Sequence, residues 1–501
     1  MSGNIGDFEK TYITGDLKSD LAFFKNLLKD DAVLRVKEIK VRQKTSFDCA
    51  LLYIDGMASS ELLNDGVIKP LLVSSPLFDS KNLADYITTQ VLFANDSKAE
   101  NDISKMLTSL FYGDAVLLID KSPDAVIIDI KGWKTRGIDE PEDEKVLQGP
   151  REGFTEASLH NLAMIRRKLL TPDLKFEQTR IGRRSLTAVY ICYLDSLADK
   201  NALSILKKRL SAIDIDGILD SNYIAELIRD GKNSLFKTIG TTERPDVVAS
   251  KLLEGRIAVV VDGTPVVLTL PYLFSENFNV DEDYYLGFLG SSLRRLLRYF
   301  CFFLSIGTPA VFIALSTYHK QLLPTTLAIT VAKLRGGVPF SPFSECILML
   351  FIFEILKETG LRMPKNLGHA LSIVGGLVVG QAAVEARIIS TPMLIVIAVS
   401  GIAGLMIPKL STPVFYLRLI FVCISSLFGL YGFITAFCIT VMHIISLTSF
   451  EIDYTVSLRS ASSQSLKDTF VRAPWNNMLK RPLFNRNSIR QKSIRKDDKT
   501  V

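Results

Sequence analysis

VFYLRLIFVCISSLFGLYGFITAFCITVMHIISLTSF, residues 414–450, contains only two ionisable side chains of the Lys, Arg, His, Asp or Glu type, Arg418 and His443. As one helix rising 1.5 Å per residue it would extend about 55 Å, against the roughly 30 Å hydrocarbon core of a bilayer. The run is therefore expected to fold back near Gly429-Leu430-Tyr431-Gly432, with a bent helix continuing along the interface as the alternative. Four further apolar stretches precede it: Tyr299–Thr317, Phe343–Leu356, Leu367–Ala386 and Pro392–Ile407. Residues 299–450 hold nine Lys/Arg and four Glu with no Asp, a composition suited to lipid.

With the N-terminus in the cytoplasm and six spans, the inside loops carry Lys357, Arg362 and Lys365, then Lys409 and Arg418, as a positive-inside bias requires. Lys320, Lys333 and Arg335 then face outward. They flank or lie in LLPTTLAITVAKLRGGVPFSP, residues 322–342, which is too amphipathic and too interrupted by Pro and Gly to span and reads as an interfacial or re-entrant element. After Phe450 the tail holds eleven Lys/Arg against five Asp/Glu, which accounts for the whole net charge of +6. A basic segment directly after an apolar run fits an anionic membrane surface on the cytoplasmic side. No nucleic-acid reader motif accompanies the charge, so no nucleic-acid partner is expected.

Over the whole 501 residues, 48% hydrophobic content and a mean hydropathy of +0.24 conceal two unlike halves. This contrast excludes a wholly soluble enzyme, a disordered regulator and a compact permease with short tails. The first residues, MSGNIGDFEK, show neither a basic n-region nor an apolar h-region, so the leading domain is expected to stay in the cytoplasm. Six scattered cysteines without C-x-x-C or nearby His argue against a disulfide framework or zinc site, and no metal or cofactor is expected.

Residues 31–270 alternate short apolar runs with helical patterns, an α/β reading. LLYIDGMA (51–58) resembles ICYLDSLA (191–198), and AVLLIDKSP (115–123) resembles IAVVVDGTP (257–265). Offsets of 140 and 142 residues for the two pairs point to a tandem of related subdomains. Asp120-x-x-Pro123 and Asp262-x-x-Pro265 then become equivalent hairpin turns and not catalytic sites. Between the repeats, an amphipathic helix is expected with Thr155 as its cap, Glu152 and Glu156 near its start and Arg166, Arg167 and Lys168 near its end. The lone His160 reads as a surface or interface residue.

The chain is thus expected to be an α+β/α-helical membrane protein: an N-terminal cytoplasmic tandem of two related α/β subdomains, a polytopic helical membrane domain of about five to six spans, and a short basic cytoplasmic tail. Expected boundaries are an N-terminal extension over 1–30, subdomains over 31–136 and 171–290 joined by an acidic linker and amphipathic helix over 137–170, a transmembrane domain over 291–450 and the tail over 451–501.

Ionisable residues inside a membrane are costly and so mark function or pairing. Glu345, Glu354, Glu358, Gln381 and Glu385 are the candidate pore or intramembrane polar residues, alongside Arg418 and His443. Glu345 is favoured because the sequence places no partner beside it, whereas Glu354 has Lys357 and Glu385 has Arg387 within reach. Gly376-x-x-x-Gly380 and Ser400-x-x-x-Gly404 put small residues on one helical face for close helix packing. No Ser-His-Asp pattern, phosphate loop or metal spacing appears, and an enzyme is not expected.

Five stretches carry a family resemblance: GPREGFTEASLHNLAMIRR (149–167), EGRIAVVVDGTPVVLTLPYLF (254–274), EDYY (282–285), VPFSPFSECILMLFIFEILKETGLRMPKNLG (338–368) and ALSIVGGLVVGQAAVEARIISTPMLIVIAVSGIAG (370–404). Together they resemble the A subunits of GerA-type nutrient germinant receptors of endospore-forming bacteria, from about residue 40 to about residue 482. Arg387 stands where family members tend to carry a small residue. The resemblance implies a multi-pass protein of the spore inner membrane, with N-domain and tail on the core side, working with a transporter-like B subunit, which chiefly binds the nutrient, and a lipoprotein C subunit. It also implies a homo-oligomer forming a ligand-gated cation channel. The alternatives are a stage V sporulation AF-type paralogue acting as an amplifying channel and a non-conducting signalling scaffold.

Overall fold

The computed structural model describes residues 8, 11–42, 46–73, 83–93, 96–132, 148–362, 380–456, 468–478 and 481. Helix α1 (Leu17–Leu27) leads into β1 (Leu34–Arg42) and β2 (Ser46–Ile54), and a π-helical turn at Leu62–Ile68 runs into α2 (Lys69–Val73). Helix α3 (Leu83–Tyr86), β3 (Ser97–Glu100), α4 (Ile103–Phe111), β4 (Ala115–Ile119) and β5 (Ala125–Ile128) complete a five-stranded sheet of order β1-β2-β4-β5-β3. The next unit repeats the plan with α5 (Ser158–Lys168), β6 (Leu174–Ile181), β7 (Thr187–Leu194), α6 (Lys200–Ser211), α7 (Ser221–Ile228), β8 (Gly240–Thr242), α8 (Pro245–Leu253), β9 (Ile257–Val261) and β10 (Val267–Leu270). Its sheet order is β6-β7-β9-β10-β8, the same path through equivalent strands. Register is shared as well: Leu51 faces Leu117 in one sheet, and Ile191 faces Val259 in the other.

Helices and strands are interspersed along the chain as the sequence indicates, yet most strands come as consecutive pairs, and every pairing among the strands named is antiparallel. The central strands AVLLI and IAVVV are buried at every position because helices cover both faces of each sheet. Val116 and Leu118, together with Ala258 and Val260, enter one core shared by both units and lined by α1, α4, α5 and α8. The intervening residues enter separate outer cores, under α2 and α3 for the first sheet and under α6 and α7 for the second. Helices α1 and α5 are therefore equivalent inner helices. Both belong to folded units, and the boundaries expected at residues 30 and 170 cut each helix away from its own sheet.

Two expectations for α5 are corrected. Its N-cap is Ala157, which offers no side-chain bond; Asp262, from the β9–β10 turn, accepts from Ser158 N at 3.1 Å and from Ser158 Oγ at 2.6 Å instead. Thr155 is occupied with Asn161 Oδ1. Lys168 pairs with Glu152 at 2.9 Å as a helix-end charge should, but Arg166 turns inward. Fully buried, it pairs with Asp31 and lies 5.1 Å from the Phe111 ring centre and 4.6 Å from that of Phe176, joining the two units at their common core.

Beyond β10 come α9 (Phe288–Thr317), α10 (Thr325–Arg335), α11 (Pro342–Arg362), a helical segment at 380–385, α12 (Thr391–Leu405) and α13 (Ser411–Ser446). Among the described residues, two helices, Phe288–Thr317 and Pro408–Ser446, are long and apolar enough to cross a membrane, and Thr391–Leu405 is a shorter apolar helix. The break in the long run falls at Gly429, with φ 60° and ψ −142°. A side chain there would meet His319 Cε1 at 2.8 Å, so the turn requires glycine. Tyr318 Oη donates to Ser426 O at 2.7 Å, satisfying a carbonyl at the end of the first arm. Phe421 and Phe433 then meet across the two arms, with ring centres 5.6 Å apart.

The apolar run does not stay in one environment to its end. Phe450 is buried in the outer core of the second soluble unit beneath Arg209, and Ser449 Oγ donates to Thr238 O at 2.7 Å. Hydropathy scores a protein core and a lipid core alike, which is why the last residues of this run read as lipid-facing in the sequence.

Candidate functional site

Pro309 lies inside α9 and has no N–H to donate to Ser305 O, four residues earlier. In an apolar setting a free carbonyl needs another donor. Two side chains supply it: Arg418 Nε of α13 at 2.8 Å and Ser400 Oγ of α12 at 2.7 Å. Arg418 Nη2 also donates to Ser400 O at 3.1 Å. Gly404 completes the crossing, since a Cβ there would sit 3.3 Å from Arg418 Nη2 and 3.9 Å from Ser305 Cβ. The small-residue face Ser400-x-x-x-Gly404 thus packs three helices of one chain around a proline break. The arginine expected to mark function is bound to backbone carbonyls. Sequence reading missed the link, although a proline in one apolar helix and an arginine in another were both visible.

Glu345, expected to lack a partner, has three donors and no exposure. Its Oε1 accepts from Arg335 Nη2 at 3.1 Å, and its Oε2 accepts from Ser390 N at 3.1 Å and Ser390 Oγ at 2.7 Å. Ser390 is the N-cap residue of α12, so the carboxylate sits at the positive end of that helix. The clasp ties α10, α11 and α12 together. Neither partner is adjacent in sequence, and the reading that rested on an isolated Glu345 is corrected.

The other candidates lie elsewhere. Glu354 pairs with Lys357 at 2.9 Å within α11. Glu358, one turn on, is exposed. Gln381 Nε2 donates to Glu385 Oε1 at 3.1 Å, and both residues are exposed on one helical face. Gly380 packs against Leu394 of α12, and Gly376 lies outside the described residues. His443 is held by Ser234 at 2.9 Å, bringing α13 against the second soluble unit.

Between the soluble units and α9 lies a charged junction that composition alone disguises as a membrane-flanking basic patch. Of Arg294-Arg295-Leu296-Leu297-Arg298, only Arg294 is an exposed arginine. Arg298 grips buried Asp283 through both carboxylate oxygens, at 2.7 and 2.8 Å, and donates to Phe278 O. Arg295 reaches Asp283 at 3.4 Å and Asp468 at 3.1 Å. Tyr284 Oη donates to the same Asp468, and Arg472 donates to Leu286 O and Tyr284 O. Nearby, burial by itself would raise the Glu276 carboxyl, but Arg256 and Lys251 outweigh it and hold the group at about 2. Lys409, at the foot of α13, donates to Asn279 O at 3.2 Å. Three parts of the molecule therefore meet here: the sheet domain, the first long apolar helix and the C-terminal segment share one network of ion pairs.

The geometry defines a two-part protein in which a duplicated sheet domain is fastened by buried ion pairs to an apolar helix bundle whose first helix carries an internal proline. Residues 22–484 match the model of the Bacillus/Clostridium GerA spore germination protein family, and the chain belongs to that family. Similar proteins include the uncharacterized membrane protein YfkQ of Bacillus subtilis, 39% identical with 89% of this chain and 87% of that protein covered. Spore germination protein KA of the same organism is 37% identical, with 97% of this chain and 88% of that protein covered. Among solved structures, the N-terminal domain of the A subunit of the Bacillus megaterium spore germinant receptor GerK3 is 32% identical and covers 53% of this chain and 98% of that one, with a TM-score of 0.40.

Proposed function

We propose that the chain is the membrane-embedded A subunit of a nutrient germinant receptor and that it acts in spore germination as a homo-oligomeric, ligand-gated cation channel. In this reading it sits in the spore inner membrane with about six spans, its soluble tandem and tail face the spore core, and a transporter-like B subunit and lipoprotein C subunit are its partners. The tandem arose by duplication, as the repeated strand order and register support.

One observation carries the channel reading. Glu358, Gln381 and Glu385 are exposed on a chain whose adjacent helices are apolar, and a lone copy in a bilayer would present them to lipid at high cost. Surrounding an aqueous axis with several copies removes that cost and concentrates cations there. Glu354, on the same helix as Glu358, joins them as a candidate; Glu345 is assigned to the clasp. Ligand bound by a partner would act through the charged junction, and a differential affinity of about 5.5 kcal/mol suffices to invert a 1:99 population.

The test is ion flux from vesicles holding the purified full-length chain, compared with Glu385→Gln and Glu358→Gln at equal incorporation. Cation-selective leakage that falls in the variants supports the channel. A membrane that stays tight with partners and nutrient present would leave the chain as a scaffold.

A further inference from the structure

A cavity of about 640 Å³ lies where α9, both arms of α13 and the segment after β10 converge. Its walls are almost wholly apolar, dominated by Phe274, Phe278, Phe302, Phe421, Phe433 and Phe437. The volume falls in the range of about 300–1,000 Å³ typical of small-ligand pockets. It is not sealed: Phe303, Phe437 and Ile445, which line it, are 52%, 38% and 56% exposed and continue into the exposed apolar flank of the same two helices. A second observation is independent of shape. Tyr299 lines the cavity and is 8% exposed, yet its Oη finds no hydrogen-bond partner. A buried phenol without a partner loses its bond to water with no return, and the apolar walls supply nothing in exchange.

We propose that this cavity is a lipid site, taking one acyl chain of a membrane phospholipid through its lateral mouth, with the ester carbonyl accepting from Tyr299 Oη. The occupant follows from position. Both flanking helices are the two long enough to cross a membrane, so the mouth opens onto hydrocarbon and the nearest solvent is acyl chain. Tyr299 follows Arg298 directly and so stands beside the buried Arg298–Asp283 pair, the level at which an amphipathic tyrosine meets lipid ester groups. Below it, Phe302, Ile306 and Gly307 continue the wall along α9 for the hydrocarbon tail. Because the chamber touches Phe274 and Phe278 of the soluble side as well as both arms of α13, the lipid tail would be a structural wedge between the two halves.

The site rests on reading α9 and α13 as membrane spans, and the experiment separates the two claims. Full-length protein in phosphatidylglycerol vesicles is irradiated with a phospholipid bearing a photoactivatable acyl chain, and labelled residues are mapped by mass spectrometry. Label is expected on Phe302, Ile306 and Phe437 at least tenfold above that on Phe300 and Ile434, exposed residues of the same helices outside the cavity. Gly307→Leu should fill the chamber and remove the cavity label while leaving the outer label; the nearest atom to a Cβ at Gly307 is Phe433 Cζ at 3.5 Å, so the first carbon fits. Tyr299→Phe, which keeps the ring stacked on Phe278, should lower labelling by the ester lipid several-fold and leave labelling by a photoactivatable alkane unchanged. Equal label inside and outside, insensitive to Gly307→Leu, would overturn the site and leave ordinary surrounding lipid. Crosslinks between copies through Phe303 and Phe437 would overturn it in favour of a subunit contact. Loss of label from Phe300 and Ile434 too would overturn the membrane reading itself.

Discussion

Replacing Glu345 by Gln separates a clasp from a pore residue. The wild-type carboxylate takes two bonds from Ser390 and one from Arg335, whose side chain is 20% exposed. A glutamine amide keeps one oxygen for Ser390, but its NH2 then confronts the Arg335 guanidinium, donor against donor. Losing a charge-assisted hydrogen bond costs about 1.5–3 kcal/mol, so a loss of about 2 kcal/mol is expected. For a unit of 150–250 residues that is a fall in Tm of about 4–8 °C. Arg335→Gln should cost a similar amount, and the double variant should be less destabilised than the sum, with a coupling of about 1–2 kcal/mol. The assay is thermal unfolding of detergent-solubilised full-length protein, paired with ion flux from vesicles below the unfolding temperature. Wild-type melting together with altered flux in Glu345→Gln would refute the clasp and return Glu345 to the ion path.

Three further outcomes follow from the same structure. Arg418→Leu should destabilise the wild type more than the Pro309→Ala background, by about 1–2 kcal/mol in a double-mutant cycle, because alanine restores the helical N–H that Ser305 O lacks; additive effects would sink the link. Asp262→Ala should raise amide exchange over the first turn of α5 about tenfold, since no local side chain replaces the cap; unchanged exchange would show that Asp262 is dispensable there. Glu276 is held near 2 against an ordinary 4.5, a folded value depressed below the unfolded one. Its contribution, on the order of 3 kcal/mol, is therefore present above about pH 4.5 and is lost as pH falls towards 2. Acid unfolding that is no less steep in Glu276→Gln would contradict this.

The charged junction gives the two halves a physical connection. Asp283 answers to two arginines of α9, and Asp468, far along the chain, answers to one of them. A displacement of the soluble unit that moves Asp283 must either carry Arg298 with it or strand a buried charge, and the second course is expensive. A shift of the sheets would therefore act first on the base of α9, the helix that carries Pro309 further along.

Sequence alone determined the features that repeat or accumulate locally. The paired strands at 51–58 and 191–198 announced the duplication, because a buried strand must stay apolar in both copies. The scarcity of charge from 299 to 450 separated the halves, and Gly429-Leu430-Tyr431-Gly432 marked the stretch where the long run turns, which the structure narrows to Gly429. What tertiary structure decided was the partner of each polar group. Arg335 and Ser390 close on Glu345 from different helices, Arg418 finds the carbonyl that Pro309 frees, and Asp262 caps a helix 104 residues earlier. Phe450 shows the same limit for apolar residues, since it reads as lipid-facing and is buried in protein. Hydropathy and periodicity are sums over neighbours in the chain, whereas a hydrogen bond or a packed ring is satisfied by whichever group folding brings within a few ångströms.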